Sequence, residues 1–168
     1  TRSVNLDGSV RLAKLAKQAG VPRFLFSSSC SVYGQGTDAP LDEDSRLCPL
    51  SVYAESKILT EQALADLADA SFCPAYLRNA TAFGHSPMLR VDLVVNNLLA
   101  CAWTKGTILI KSDGTPWRPL IHCRDIARAF VAFLDAPAER ILNRALNIGA
   151  DNANYRVRQI ADLIQAEL

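Results

Sequence analysis

Apolar and polar positions along the first third of the chain switch between two periods. From Val4 to Ala19 the spacing is helical: Val10, Ala13, Ala16 and Ala19 share much of one face, and Leu6, Leu12 and Leu15 widen it. Asp7 or Ser9 is placed to cap its early part, and Gly20 followed by Val21-Pro22 is a stop signal. Arg23-Phe24-Leu25-Phe26 then runs into Ser27-Ser28-Ser29. An apolar run that turns polar at its end predicts a buried parallel strand whose carboxyl end opens on a crevice. Gly34 to Pro49 is rich in Gly, Pro, Asp and Ser and predicts a surface loop. Val52 to Leu67 is helical again, with Val52, Leu59, Ala63 and Leu67 apolar, and Ala75-Tyr76-Leu77-Arg78 predicts a second strand.

Helix, strand, helix, strand is half of a doubly wound α/β fold. The half that normally opens such a fold is a strand, a glycine-rich phosphate turn and a helix. The eight glycines are dispersed, and no G-x-G-x-x-G occurs. Since each βαβ unit takes roughly 30 residues, the expectation is that about 60–90 residues of fold are missing ahead of Thr1. A chain lacking that turn is expected not to hold a dinucleotide tightly and to be inactive alone.

Composition narrows the function classes. Of 168 residues, 49% are hydrophobic and 21% charged, the balance of a globular protein. With 18 Lys+Arg against 17 Asp+Glu, no basic excess points to nucleic acid. The longest apolar stretch, near Val94–Trp103, is interrupted by Asn96 and Asn97 and is too short to span a bilayer. Five scattered cysteines without C-x-x-C spacing fit free thiols in a reducing, cytoplasmic setting, and no metal site is expected.

The chemistry centres on Tyr53-Ala54-Glu55-Ser56-Lys57. On a helix, positions i and i+4 share a face, roughly 5–6 Å apart at Cβ. An ammonium there favours phenolate and lowers a tyrosine pKa from about 10, which suits Tyr53 to general acid/base work. Taken alone, Y-x-x-x-K is equally a half-buried tyrosine beside a solvated lysine. Its company upstream, Ser27-Ser28-Ser29-Cys30-Ser31-Val32-Tyr33-Gly34, changes the weighing.

The two segments together resemble the extended short-chain dehydrogenase/reductases, in particular the NAD-dependent epimerase/dehydratase family acting on nucleotide sugars. That family has S-S-S/T-x-x-V-Y-G at a strand end ahead of Y-x-x-x-K. The resemblance continues in order along the chain. Val4-Asn5-Leu6-Asp7-Gly8-Ser9 is similar to a V-N-x-x-G-T helix opening, where Asn5 is either a cofactor contact or a plain helix cap. Leu77-Arg78-Asn79-Ala80-Thr81-Ala82-Phe83-Gly84 is similar to L-R-x-x-N-x-Y/F-G, with Thr81 at the usual Asn. Asn96-Asn97-Leu98 resembles an N-N-L at a helix start, where the amide either contacts a diphosphate or faces solvent. Asp113 to Ala127 resembles G-x-x-x-R-D-x-I-H-V-x-D-h-A, with Pro119 at the usual Asp. Leu146-Asn147-Ile148-Gly149 is similar to the N-I/V-G strand, and Asn154 to Ala161 matches the start of the terminal helix.

The resemblance implies the C-terminal part of a Rossmann-type doubly wound parallel sheet plus a small α+β substrate-binding lobe. Residues 1–84 would belong to the former and 85–168 mainly to the latter, with an interleaved return to the Rossmann core. It implies Ser29, Tyr53 and Lys57 as catalytic residues, with Asn5, Ser27, Tyr53 and Lys57 toward NAD (or NADP). Ser31, Thr81, Asn97 and Arg118 would face the nucleotide-sugar substrate, Arg118 because a planar guanidinium grips two phosphate oxygens at once. His122 is expected to hold backbone and Asp125 to cap or steady a helix dipole. Cys30-Ser31 after Ser29, in place of the Asp-Glu of dehydratases, favours an epimerase or simple dehydrogenase. A reductase of non-sugar carbonyls on the same fold and a non-catalytic NAD(P)-binding protein are the alternatives, and a homodimer through the Y-x-x-x-K helix and its neighbour is compatible with the pattern.

Overall fold

In the computed structural model, which describes residues 1–36 and 39–168, the elements follow that order. Thr37 and Asp38, inside the loop predicted over 34–49, lie outside the described residues. The first helix starts at Ser3 as one wide π-helical stretch (Ser3–Gly8) and tightens into α1 (Ser9–Gln18). Neither Asp7 nor Ser9 caps it, because the helix is already under way at both positions. Only Ala13 on α1 is fully buried, with Ala16 packed nearby, while Leu12 and Leu15 are exposed. The small alanine side chains, rather than the bulky leucines, mark the face toward the core. Gly20 ends the helix at φ 74°, a left-handed conformation that glycine adopts without a Cβ clash.

β1 (Arg23–Ser29), β2 (Cys73–Asn79) and β5 (Ala145–Ile148) form one parallel sheet in the order β1-β2-β5. The central strand β2 is buried along six of its seven residues, as a strand covered on both faces must be. Its side chains divide by parity. Tyr76, with Phe26 of β1, packs on Ala13, Leu64 and Phe72 under α1 and α2 (Val52–Ala65). Cys73, Ala75 and Leu77 pack on the opposite side against Phe133 and Ile141, from α4 (Cys123–Asp135) and α5 (Ala138–Ile141). Helices on both faces of a parallel sheet make this an α/β fold.

A second, mixed sheet joins β3 (Thr81–Phe83) parallel to β4 (Trp117–His122), and β4 antiparallel to β6 (Asn154–Arg156). It has its own core of Leu98, Leu120, Ile160 and Ala161, contributed by β4, α3 (Val94–Lys105) and α6 (Val157–Glu167). β5 lies between these later elements in sequence yet returns to the first sheet. His122, not Asp125, caps α4: its Nδ1 accepts from Arg124 N at 3.2 Å. Asp125 sits in the first turn, favourable to the helix dipole, and pairs with Arg128. Among the described residues no helix is long and apolar enough to cross a membrane, and no cluster of His, Cys, Asp or Glu could hold a metal ion.

Candidate active site

The site gathers at the carboxyl edge of the first sheet. Ser29 closes β1, and the chain then tightens into a 3-10 turn, Cys30–Tyr33. Ser29 Oγ accepts from Ser31 N at 3.2 Å, capping that turn and leaving its own hydroxyl proton free to point elsewhere. Gly34 ends the turn at φ 83°, and a Cβ there would stand 2.1 Å from the Cys48 carbonyl oxygen, so the loop closes over a residue that has to be glycine.

Ser51 starts α2 by accepting from Ala54 N, which places Tyr53 and Lys57 in the first two turns. Lys57 Nζ donates to the Ser27 carbonyl at 2.6 Å and lies 5.4 Å from the Tyr53 ring centre and 4.6 Å from that of Phe26. The sequence-predicted pair is thus one face of α2, tied to the end of β1. Burial lowers the Lys57 pKa from its ordinary value, opposed in part by the Glu61 carboxylate. Tyr53 remains 43% exposed, open to a ligand. Asn5 lies against the same helix: its Nδ2 reaches Ser56 Oγ at 3.5 Å, and Thr60 Oγ1 donates to its carbonyl.

A cleft of about 1120 Å³ runs between the two sheets; Leu50 and Ser51 just ahead of α2 line it, whereas Asn5, Tyr53 and Lys57 do not. Ser29, Cys30, Ser31, Thr81 and Arg118 line it, along with Trp117 and residues 147–151. Ser31 Oγ is buried there without a hydrogen-bond partner among the described residues. Arg118 is exposed at the rim, its Nη1 donating to the Trp117 carbonyl. Burial raises the Cys30 thiol pKa, and the positive charge of Arg118 pulls against it. Asn97 stands apart from the cleft lining: its amide holds the Val91 carbonyl at 3.1 Å, while Asn96 bridges Arg90 and Gly84.

The sequence reading did not single out the polar network beneath the cleft. Glu61, one turn beyond Lys57, receives Arg78 Nη2 at 2.7 Å and Nε at 3.2 Å, as well as Ser28 Oγ. Arg78 Nη1 donates to Tyr33 Oη, which donates to Asn147 Oδ1 at 2.6 Å. Glu43, from the loop before α2, accepts from Asn147 N at 2.7 Å, and its carbonyl accepts from Arg78. Burial alone would disfavour the Arg78 charge, but its bonds to Glu61 and Tyr33 outweigh that and raise its pKa. Burial likewise raises the Tyr33 pKa, against the pull of Arg78. The sequence signal was an arginine following an apolar strand run, since a buried charge implies a buried partner.

A parallel sheet wrapped by helices, with a serine closing the same strand to which a helical Tyr–Lys pair is tied through the Ser27 carbonyl, defines a Rossmann-type α/β protein. The chain belongs to the NAD dependent epimerase/dehydratase family, which residues 1–149 match. It is 34% identical over 167 residues to UDP-glucose 4-epimerase of Bacillus subtilis (strain 168), covering 89% of this chain and 47% of that protein. The solved structure of MoeE5 with UDP-glucuronic acid and NAD is 30% identical, with a TM-score of 0.85, over 97% of this chain and 54% of that one. UDP-glucuronic acid 4-epimerase from Bacillus cereus, solved with UDP-glucuronic acid and NAD, is 25% identical with a TM-score of 0.85, over 98% and 51%. The chain spans about half the length of these relatives.

Proposed function

We propose that this chain carries the acid–base centre and substrate cleft of an NAD-dependent oxidoreductase that epimerises a nucleotide sugar. The observation that carries the reading is the Lys57 ammonium, gripped by the Ser27 carbonyl and lying by the Tyr53 ring, next to a cleft that begins at Ser29. The orphaned Ser31 hydroxyl and the Arg118 guanidinium give that cleft a polar floor and a cationic rim suited to a sugar and a diphosphate.

In this reading Tyr53 takes the proton of the reacting sugar hydroxyl through its phenol oxygen. Lys57 favours the phenolate form of Tyr53 that accepts this proton, and the transfer leaves the phenol neutral. Ser29, whose Oγ already accepts from Ser31 N, donates its own proton to the substrate oxygen as charge develops there. A bound NAD supplies a hydride acceptor at the sugar carbon. Lys57, Ser27 and Asn5 would hold the nicotinamide end of that cofactor, a role supported by the donors and acceptors gathered around the end of β1 and the start of α2. The pyrophosphate end has no glycine-rich turn to receive it in this sequence.

Residues 1–84 serve the cofactor side and 85–168 mainly the substrate side, a division supported by the separate core around Leu98, Leu120 and Ile160. A homodimer through α1 and α2 fits the apolar surface of Leu6, Val10, Leu15 and Ala63 between those helices. The test of function is turnover of UDP-glucose by the full-length protein with NAD, in wild type and Tyr53→Phe. Removing the acid/base oxygen is expected to cost about 10²–10⁴-fold in kcat. Unchanged turnover in Tyr53→Phe sinks the assigned role. Turnover of a simple ketone with no action on sugar nucleotides assigns the scaffold to non-sugar carbonyls instead.

A further inference from the structure

Among the described residues two buried side-chain polar atoms lack a hydrogen-bond partner: Ser31 Oγ and Asn79 Oδ1. Ser31 already has a place in the reading above. Asn79 has none, and its surroundings are specific. It is the last residue of β2, in register with Ser29 on one side and Ile148 on the other, and it lines the cleft. Strand alternation puts its side chain on the face of the sheet that also carries Ser27 and Ser29. The Asn79 amide is held in orientation, because Nδ2 donates to Ser27 Oγ at 3.0 Å. Ser27 is the same residue whose carbonyl anchors Lys57.

A carboxamide has two donor hydrogens and an oxygen with two lone pairs. Here the nitrogen is engaged and the oxygen is buried with nothing to accept from, one hydrogen bond away from the Lys57 anchor. A fixed, unmet acceptor next to a reactive serine discriminates strongly, since it penalises any occupant that brings no donor. We propose that Asn79 Oδ1 is a ligand-binding acceptor, taking an N–H or O–H from the molecule held over Ser29 and selecting ligands that carry a donor there. The proposal rests on the function proposed above and adds a specificity residue to it. The donor has two possible sources of the same chemistry, the carboxamide N–H of a nicotinamide or a hydroxyl of the sugar.

Calorimetric binding to the full-length protein separates them. Two ligand pairs are compared in wild type, Asn79→Ala and Asn79→Asp. One is NAD against its 3-acetylpyridine analogue, in which a methyl ketone replaces the amide. The other is UDP-glucose against its deoxy analogues. Wild type is expected to disfavour the donor-less member of one pair by about tenfold. Asn79→Ala is expected to erase that preference, while Asn79→Asp, which keeps an oxygen in the same place, retains it. A preference within the NAD pair assigns the carboxamide, and one within the sugar pair assigns the hydroxyl. Equal preferences in wild type and Asn79→Ala for both pairs overturn the inference. Loss of preference in Asn79→Asp, with far-ultraviolet dichroism unchanged, also overturns it, because an acceptor would then be insufficient. Failure of wild type to bind either NAD or UDP-glucose overturns the functional reading itself, and this inference with it.

Discussion

Replacing Glu61 by Gln removes one charge from a pair whose side chains are only 7% and 8% exposed. The carboxylate receives three donors, Arg78 Nη2, Arg78 Nε and Ser28 Oγ. The substitution keeps the shape and leaves an unpaired guanidinium in the protein interior. Breaking a buried pair on one side costs about 3–5 kcal/mol. The attraction itself, about 4 kcal/mol at 4 Å and an effective dielectric of 20, is of the same size. For a domain of this length that is a fall in Tm of roughly 6–20 °C. Arg78→Met should cost a similar amount, since it strands the carboxylate. The double variant Glu61→Gln/Arg78→Met removes both charges and should cost far less than the sum of the singles. Urea denaturation of the four proteins measures all three differences. A loss under about 1 kcal/mol in Glu61→Gln, the worth of an exposed pair, would refute the reasoning. So would simple additivity in the double variant.

Three further outcomes follow from the packing and charges. Gly34→Ala should cost about 1–2 kcal/mol for the left-handed backbone and about 1–3 more for overlap with the Cys48 carbonyl, read as a lower urea midpoint. Phe72→Ala, at a side chain 1% exposed between α1, α2 and the sheet, should cost about 3–5 kcal/mol in the same assay. Acidification should destabilise the fold as pH falls below about 4, because partners hold several aspartates below their ordinary values: Lys17 and Ser71 at Asp69, and Arg90 at Asp92, which is pushed down to about 2. Their stabilisation is present above the unfolded carboxylate pKa and is lost as pH drops through the depressed one. Asp69→Asn should therefore flatten the acid limb of a denaturation midpoint plotted against pH.

Local patterns announced β1, α2 and the stop at Gly20, because each is written within a few adjacent residues. The Tyr53–Lys57 pair was legible for the same reason, as one face of a helix, and Ser29 as the end of a strand. What the sequence concealed depends on pairing between distant segments. Arg78 and Glu61 meet only because β2 lies beside β1 and under α2, so neither signals the other locally. Leu12 and Leu15 misled because periodicity marks a face without saying which side chains approach the core. Asn97 could not be placed from its motif alone, because an amide at a helix start can serve the adjoining loop, as its bond to the Val91 carbonyl does. The cap on α4 was an imidazole, a residue type that capping preferences rank below the nearby Asp125.

Asn147 joins β5 to the Tyr33 hydroxyl, to the Glu43 carboxylate and to the Leu41 carbonyl, and this fixes an order of assembly during synthesis. Glu43 precedes it by 104 positions. While the ribosome is still making α3 and β4, the Tyr53 helix and the first two strands already exist, yet the loop after Gly34 lacks its ties to Asn147. Loop-closure entropy must be met before so distant a contact is rewarded, which makes it a slow step. A nascent chain that stalls before β5 is therefore left with a partly built sheet and an open pocket floor, the state in which an α/β protein is most in need of a chaperone.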